Sequence, residues 1–451
     1  MTRLRTAAAL VAMLLCSPMT ARADAVLDWN AIAITTLTSQ PPPGVSPFAQ
    51  ARFMSITQLA VFEAVNAITH KYEPYLGTVV APAGASPSAA AIAAAYTVLH
   101  TYFPGSATTL DPAYAASLAA LPAEGKSTGV ATGVAAAQQM IARRVGDGSS
   151  PPAFSLPAST DPGVWQLTPS CPVGGGVNFQ WQNVTPFGIP SVPGSRAWVE
   201  PFRPAPPPAL DSSKYADDYN EVKRVGNVTS TSTDRPQDRA DVARFYAAAS
   251  PSFVFNSVAR QVAVARHKSL SHNARALALI NMATNDSLVA SFEAKYHYYL
   301  WRPETAIRDP RTEDINPNLD SDPAFKPYIL TPCFPSYPSN HASGSGGAAE
   351  MLGRLYGNGR HRIVLANPTA ADLTVRDLTY HYKKFSQITD DIDDARVYGG
   401  IHFRFDQEAG GRLGDDIASY IYRHSLRPGK HSDHGPDDGE DENEGEDRDD
   451  E

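Results

Sequence analysis

Apolar positions recur every three or four residues through most of this chain, and that spacing predicts helices. Over 51–68, Phe53, Ile56, Leu59, Ala60 and Phe62 fall at helical intervals. The Ala-rich run 88–102 predicts another helix. The pattern continues over 129–144, 213–225, 238–249, 253–264, 273–299, 342–356 and 406–424. Pro-rich connectors at 41–47 and 201–210 lie between some of these runs and read as surface loops. Over 154–198 the period lapses into Gly, Pro, Val and Trp, which predicts a long ordered excursion with room for a short hairpin. No internal repeat emerges. The expectation is an all-α fold of two packed helical bundles. One half runs over 24–210, and a C-terminal half over 211–428 carries the chemistry.

The two ends change that picture. Arg3 and Arg5, an apolar run from Ala7 to Leu15, and Ala21-Arg22-Ala23 form the pattern of a secretory signal over 1–23, cut near Asp24. The run is too short for a permanent anchor, and bulky Leu15 before Cys16 argues against lipidation. The expected product is exported, periplasmic or secreted. At the other end, residues 429–451 hold twelve acids against Lys430 and Arg448, a formal charge of −10. Such a block cannot bury apolar surface, so a disordered acidic tail is expected.

Without the three arginines of the signal the formal charge is −12; the tail holds −10 of it, and residues 24–428 are left with about −2. No basic face calls for nucleic acid. No segment after the signal reads as a membrane span. Of three cysteines, Cys171 and Cys333 survive export; an oxidising compartment permits a bridge between them, and two buried thiols are the other reading.

Three segments in the last third carry candidate chemistry. In Lys295-Tyr-His-Tyr-Tyr-Leu-Trp-Arg302-Pro303, the two cations are seven residues apart. On one continuous helix they would share a face, about 10.5 Å apart along the axis, with Pro303 ending the helix. Arg as a fork and Lys as a point charge could close on a tetrahedral oxyanion. A snorkelling surface pair is the ordinary alternative. His297, on the same helix, points elsewhere by phase and reads as packing.

The second segment, Phe334-Pro-Ser-Tyr-Pro-Ser339-Asn340-His341, leads into a Gly/Ala-rich helix. Ser339 is a natural N-cap, the free amides of Asn340 and His341 suit an anion, and His341 is placed to move protons. A histidine that merely caps the helix is the alternative. The third segment is Arg396-Val-Tyr-Gly-Gly-Ile-His402-Phe-Arg-Phe-Asp406. Arg396 adds a second fork. His402 and Asp406 sit one turn apart if helical, so the carboxylate could hold one ring nitrogen protonated and leave the other free. A core histidine tied to an acid is the alternative. The acids Asp390, Asp391, Asp393 and Asp394 read as a solvated helix start rather than a calcium site, with one of them placed to hold Arg396.

Taken in order, Lys-x6-Arg-Pro, Pro-Ser-x-His and Arg-x5-His-x3-Asp resemble the signature of the superfamily that joins vanadium-dependent haloperoxidases and type-2 phosphatidic acid phosphatases. Trp301-Arg302-Pro303 and Phe334-Pro-Ser-Tyr-Pro are similar to the haloperoxidase side. Asp28-Trp29-Asn30 and Glu63-Ala-Val-Asn-Ala-Ile68 resemble its secreted bacterial branch. The chain departs at Asn340, where the common pattern has glycine; a side chain there would narrow the pocket.

The resemblance implies a vanadate cofactor with His402 as its protein ligand. Lys295, Arg302, Ser339, Asn340 and Arg396 would bind its oxygens, while His341 moves protons and Asp406 orients His402. Hydrogen peroxide and a halide would be the substrates, with Lys295 polarising the peroxide and Phe334 beside the halide route. A small organic acceptor would take the hypohalous product, and pairing into a homodimer is a further expectation. In the phosphatase alternative His402 attacks phosphorus, Asp406 orients it and His341 protonates the leaving group. A binding protein that keeps the cradle without turnover is the third reading.

Overall fold

The computed structural model describes residues 24–41, 44–190, 200–366 and 378–429. The expected signal and nearly all of the acidic tail lie outside them. Among the described residues the fold is helical. Its helices are α1 (Ala25–Thr38), α2 (Pro47–Thr69), α3 (Pro87–Tyr102), α4 (Ala107–Ala119) and α5 (Lys126–Arg143). After the excursion come α6 (Ser213–Val225), α7 (Gln237–Ala248), α8 (Pro251–Ala265), α9 (Leu270–Tyr298), α10 (Pro303–Arg308) and α11 (Thr312–Ile315). The last three are α12 (Asn340–Tyr356), α13 (Phe385–Val397) and α14 (Arg404–His424). No helix among the described residues is long and apolar enough to cross a membrane.

Local chemistry starts many of these helices. Ser46, Ser86 and Ser250 each cap a helix that begins with proline, their hydroxyls accepting from the amide three residues on. Asp24 caps α1 by accepting from the Val26 and Leu27 amides. Each such cap contributes about 1 kcal/mol. Helices α1, α4 and α13 and the short α10 and α11 were not expected from the periodicity. Nor was the antiparallel pair β1 (Ile363–Ala366) and β2 (Thr379–Tyr382), with Ile363 opposite Tyr382.

The centre of the molecule is α9, about 43 Å long by its 29 residues and buried from Asn273 through Tyr296. It packs on α2 from the N-terminal half and on α8, α12 and α14 from the C-terminal half. One apolar core runs through both halves, from Val26 and Phe62 to Leu279, Met351 and Ile417. Helices α12 and α14 approach closely because glycines line the contact. A methyl group on Gly414 would overlap the Ser343 carbonyl, and one on Gly410 would press on the Ser339 carbonyl. The N-terminus of α14 is thereby seated on that of α12, and the Ser339 amide donates to the Asp406 carbonyl at 2.9 Å.

The excursion is ordered over its described part but holds no named strand; its hairpin-like element is one bridge, Ser155 to Gly176, followed by a 3-10 turn at Phe179–Asn183. Cys171 and Cys333 are disulfide-bonded, so the bridge rather than the pair of buried thiols is what the fold contains. It ties the excursion to the loop that begins at Phe334.

Candidate active site

Lys295 lies in the last turn of α9 and is fully buried. Its ammonium donates to the Pro335 carbonyl at 2.8 Å and the Ser336 carbonyl at 2.6 Å. Arg302 is also fully buried, and its Nε donates to the Phe334 carbonyl at 2.8 Å. These two cations therefore hold the 334–336 loop by its backbone oxygens. The Phe334 ring lies beneath both, 5.4 Å from the Lys295 Nζ and 5.0 Å from the Arg302 guanidinium, a favourable cation–ring geometry.

The expectation that Lys295 and Arg302 share one helix face is wrong. Helix α9 stops at Tyr298, and Tyr299 turns left-handed with φ 53°. Arg302 has extended backbone and is the N-cap of α10, with Pro303 as the first residue of that helix rather than the terminator of the previous one. Backbone partners outside the helix make the break. The Trp165 amide donates to Tyr299, the Trp301 amide to Gly163, and the Ser336 amide to Leu300.

His402 likewise does not share a helix with Asp406. It precedes α14, whose N-cap is Phe403, and Asp406 stands in the first turn. The Asp406 Oδ2 oxygen gathers three donors: the Phe403 amide at 3.1 Å, the Ser336 hydroxyl at 2.6 Å and His402 Nδ1 at 2.8 Å. A carboxylate only accepts, so the network assigns the His402 proton to Nδ1. His402 Nε2 then offers a lone pair and accepts from Arg302 Nη1 at 2.9 Å.

Ser339 caps α12, and the His341 ring, in the first turn, stands close to the Tyr246 carbonyl at the end of α7. Arg396 Nη1 reaches the same carbonyl at 3.2 Å. The acid expected beside Arg396 is not there. Asp391 and Asp394 pair with Arg239, and Asp394 also with Arg404, because both face away from the cluster. Asn340 does not stand free in the pocket either; its Oδ1 accepts from Ser291 of α9 at 2.5 Å. His297 is exposed against the Tyr298 ring, outside the cluster, rather than packed in the core.

Shared partners thus link Lys295, Arg302, Ser339, His341, Arg396, His402 and Asp406 into one cluster. Of these, His341 alone is incompletely buried. The electrostatics are lopsided, with Lys295, Arg302 and Arg396 set against the single carboxylate of Asp406. Burial pushes Lys295 well below its ordinary value, with Arg302 adding to the effect. Burial likewise brings Arg302 down to about 9 and Arg396 to about 10. His341 and His402 are also pushed well down, first by burial and then by the neighbouring cations. Burial raises Asp406 to about 6 against the opposing pull of Ser336, Lys295 and Arg302.

Several buried polar atoms have no protein partner: Arg302 Nη2, Arg396 Nε and Asn340 Nδ2. Surplus positive charge with orphaned buried donors is the complement of a tetrahedral oxyanion. Vanadate fits that description, with His402 Nε2 as the nitrogen able to bond it once Arg302 Nη1 gives up its hydrogen bond to that lone pair. Two contributors were missed in the sequence. Ser336 lies inside a quoted motif without any local mark of its role, and the Tyr246 carbonyl acts through main chain, which no residue type announces.

The fold and this cluster define a helical-bundle protein with a buried, histidine-bearing cluster of cations. Residues 275–429 match the family model of the VCPO second helical-bundle domain. That match covers 155 of the 451 residues, the part of the chain that carries the cluster. Among curated proteins it is 26% identical to the vanadium chloroperoxidase of Curvularia inaequalis, over 35% of this chain. The match spans about a third of that relative's length, 34%. Among solved structures, a bacterial vanadium-dependent iodoperoxidase has a TM-score of 0.67 at 22% identity, over 90% of this chain and 96% of that one. A holo-type bacterial vanadium-dependent chloroperoxidase has the same TM-score of 0.67 at 16% identity, over 86% and 94%. At such identities these two structures establish the fold alone.

Proposed function

We propose that this chain is a vanadium-dependent haloperoxidase that uses hydrogen peroxide to oxidise halide to hypohalous acid. The observation that carries the reading is the neutral His402 ring, tied through Nδ1 to Asp406 and set among Lys295, Arg302 and Arg396. Bound vanadate would supply a Lewis-acidic centre at which peroxide becomes reactive toward halide. The chain's own residues do the rest. His402 Nε2 is the ligand atom, and Asp406 and Ser336 fix its tautomer and angle. Lys295, Arg302, Arg396, the Ser339 hydroxyl and the Asn340 amide would neutralise and hold the vanadate oxygens, and Lys295 would also polarise the peroxide. His341, neutral at ordinary pH and at the edge of the burial, accepts and returns protons. Phe334 walls the cradle beneath its two cations and borders the path a halide would take.

The same dyad also suits an acid phosphatase, with His402 Nε2 attacking phosphorus and His341 protonating the leaving oxygen. One experiment separates the readings. The purified mature protein is incubated with orthovanadate and assayed for dye bromination with bromide and peroxide, beside phosphate-ester hydrolysis without vanadate. Vanadate-dependent bromination is the expected result. Hydrolysis that vanadate inhibits, without bromination, would move the assignment to the phosphatase. Anion binding with neither activity would leave a binding protein.

Export from a cut near Asp24 is part of this proposal. The Cys171–Cys333 disulfide supports an oxidising compartment. N-terminal sequencing of the protein from the periplasm or medium tests it, and an uncleaved cytoplasmic product would count against it.

A further inference from the structure

Arg396 is a buried cation without a carboxylate among the described residues. What it has instead is the end of a helix. Helix α7 stops at Ala248, with Ala249 extended, so the Tyr246 carbonyl belongs to the last turn and lacks an intrahelical amide. That free carbonyl, at the negative end of the helix dipole, accepts from Arg396. Where the carbonyl stands therefore helps to decide where Arg396 stands.

The side chain of the same residue is anchored from the other direction. Tyr246 is fully buried, and its hydroxyl lies 2.8 Å from the Tyr382 hydroxyl on β2. Tyr382 donates to Asp391 Oδ2 at 2.8 Å. With that proton committed, Tyr246 must be the donor of the phenol pair, so the chain runs Tyr246 to Tyr382 to Asp391 in one sense. The other Asp391 oxygen takes Arg239 at 2.9 Å, and Arg239 also reaches Asp394 at 2.9 Å. Arg239 is seven residues before Tyr246 on α7, and Asp391 is five before Arg396 on α13. The bonds thus close a loop through α7, β2 and α13, with the cradle at one end.

We propose that the Tyr246–Tyr382–Asp391 hydrogen-bond chain is a positioning device for the oxyanion cradle. It clamps the last turn of α7 so that the Tyr246 carbonyl holds Arg396 toward the anion. The inference rests on the cluster being an oxyanion cradle, whichever of the two chemistries it serves. Tyr246 and Tyr382 are positioning residues and touch no substrate.

A double-mutant cycle on orthovanadate affinity tests it, with inorganic phosphate as a second probe and thermal midpoints measured alongside. The proteins are wild type, Tyr382→Phe, Arg396→Ala and the double variant, with Tyr246→Phe running the same cycle in case Tyr382→Phe folds poorly. Tyr382→Phe should weaken orthovanadate binding roughly three- to tenfold when Arg396 is present. In the Arg396→Ala background its effect should shrink to less than about twofold, since the coupling has lost its receiver. Equal losses in both backgrounds would show general loosening and overturn the proposal, as would unchanged affinity in both phenylalanine variants. Failure of wild type to bind either anion would instead overturn the reading of the cradle itself.

Discussion

Arg302 and His402 meet nitrogen to nitrogen, with Arg302 Nη1 2.9 Å from His402 Nε2 and both side chains buried. A guanidinium cannot accept, so the contact requires a lone pair on Nε2 and a proton on Nδ1, the tautomer that Asp406 enforces. His402→Ala should abolish vanadium retention, and tight retention by that variant would refute the ligand assignment. Asp406→Asn should lower orthovanadate affinity about 10- to 100-fold, the usual cost of losing an outer-shell partner. Equilibrium dialysis with metal analysis reads both.

His341 stands close to the Tyr246 carbonyl and is the least buried member of the cluster. A group that moves protons without bonding the metal should be separable from binding. His341→Ala should leave orthovanadate affinity within about threefold while lowering kcat about 100-fold or more. Equal losses in affinity and in kcat/KM would make it a binding residue instead.

Burial lowers Lys295, Arg302 and Arg396. A bound anion favours their charged forms and raises all three again, so binding should be accompanied by proton uptake. By linkage, affinity then falls as pH rises between the value of each group in the free protein and its higher value in the complex. Sulfate is the suitable probe, because it does not itself titrate near neutrality. Calorimetry in buffers of different ionisation enthalpy gives the proton count, and net proton release on binding would contradict the scheme.

Ser336 donates to Asp406 at 2.6 Å inside the protein. Ser336→Ala leaves that carboxylate short of a donor and should cost about 1–3 kcal/mol of stability by denaturant unfolding. It should also weaken orthovanadate binding, since Asp406 orients His402. A variant with wild-type stability and affinity would remove Ser336 from the site.

Much of the helical framework was legible because a 3.6-residue period is a local property. Nine predicted runs correspond to helices, and Ser339 caps α12 as its residue type suggests. The misses were of another kind. Through Tyr296 to Trp301 the chain shows no breaker, yet α9 stops at Tyr298 because the next backbone groups bond to Gly163, Trp165 and Ser336. The strands Ile363–Ala366 and Thr379–Tyr382 are four residues each, too short for an alternating pattern to stand out. Helix α1 begins directly after the segment read as a signal, where Asp24 doubles as a cap.

By itself the sequence determined which charged and hydrogen-bonding groups exist, in what order, and on what kind of framework. That was enough to expect an oxyanion cradle and to name the cations and histidines that the fold gathers into one cluster. Tertiary structure decided how they are aimed. Arg302 meets His402 across 100 residues, and Arg396 meets Tyr246 across 150. A local period fixes relations only within a turn or two of helix. Contacts at those separations depend on how closely α12 and α14 pack at their glycines and on where α7 and α9 end. They also depend on which carbonyls the buried cations find, and each of these is settled only when the whole core closes.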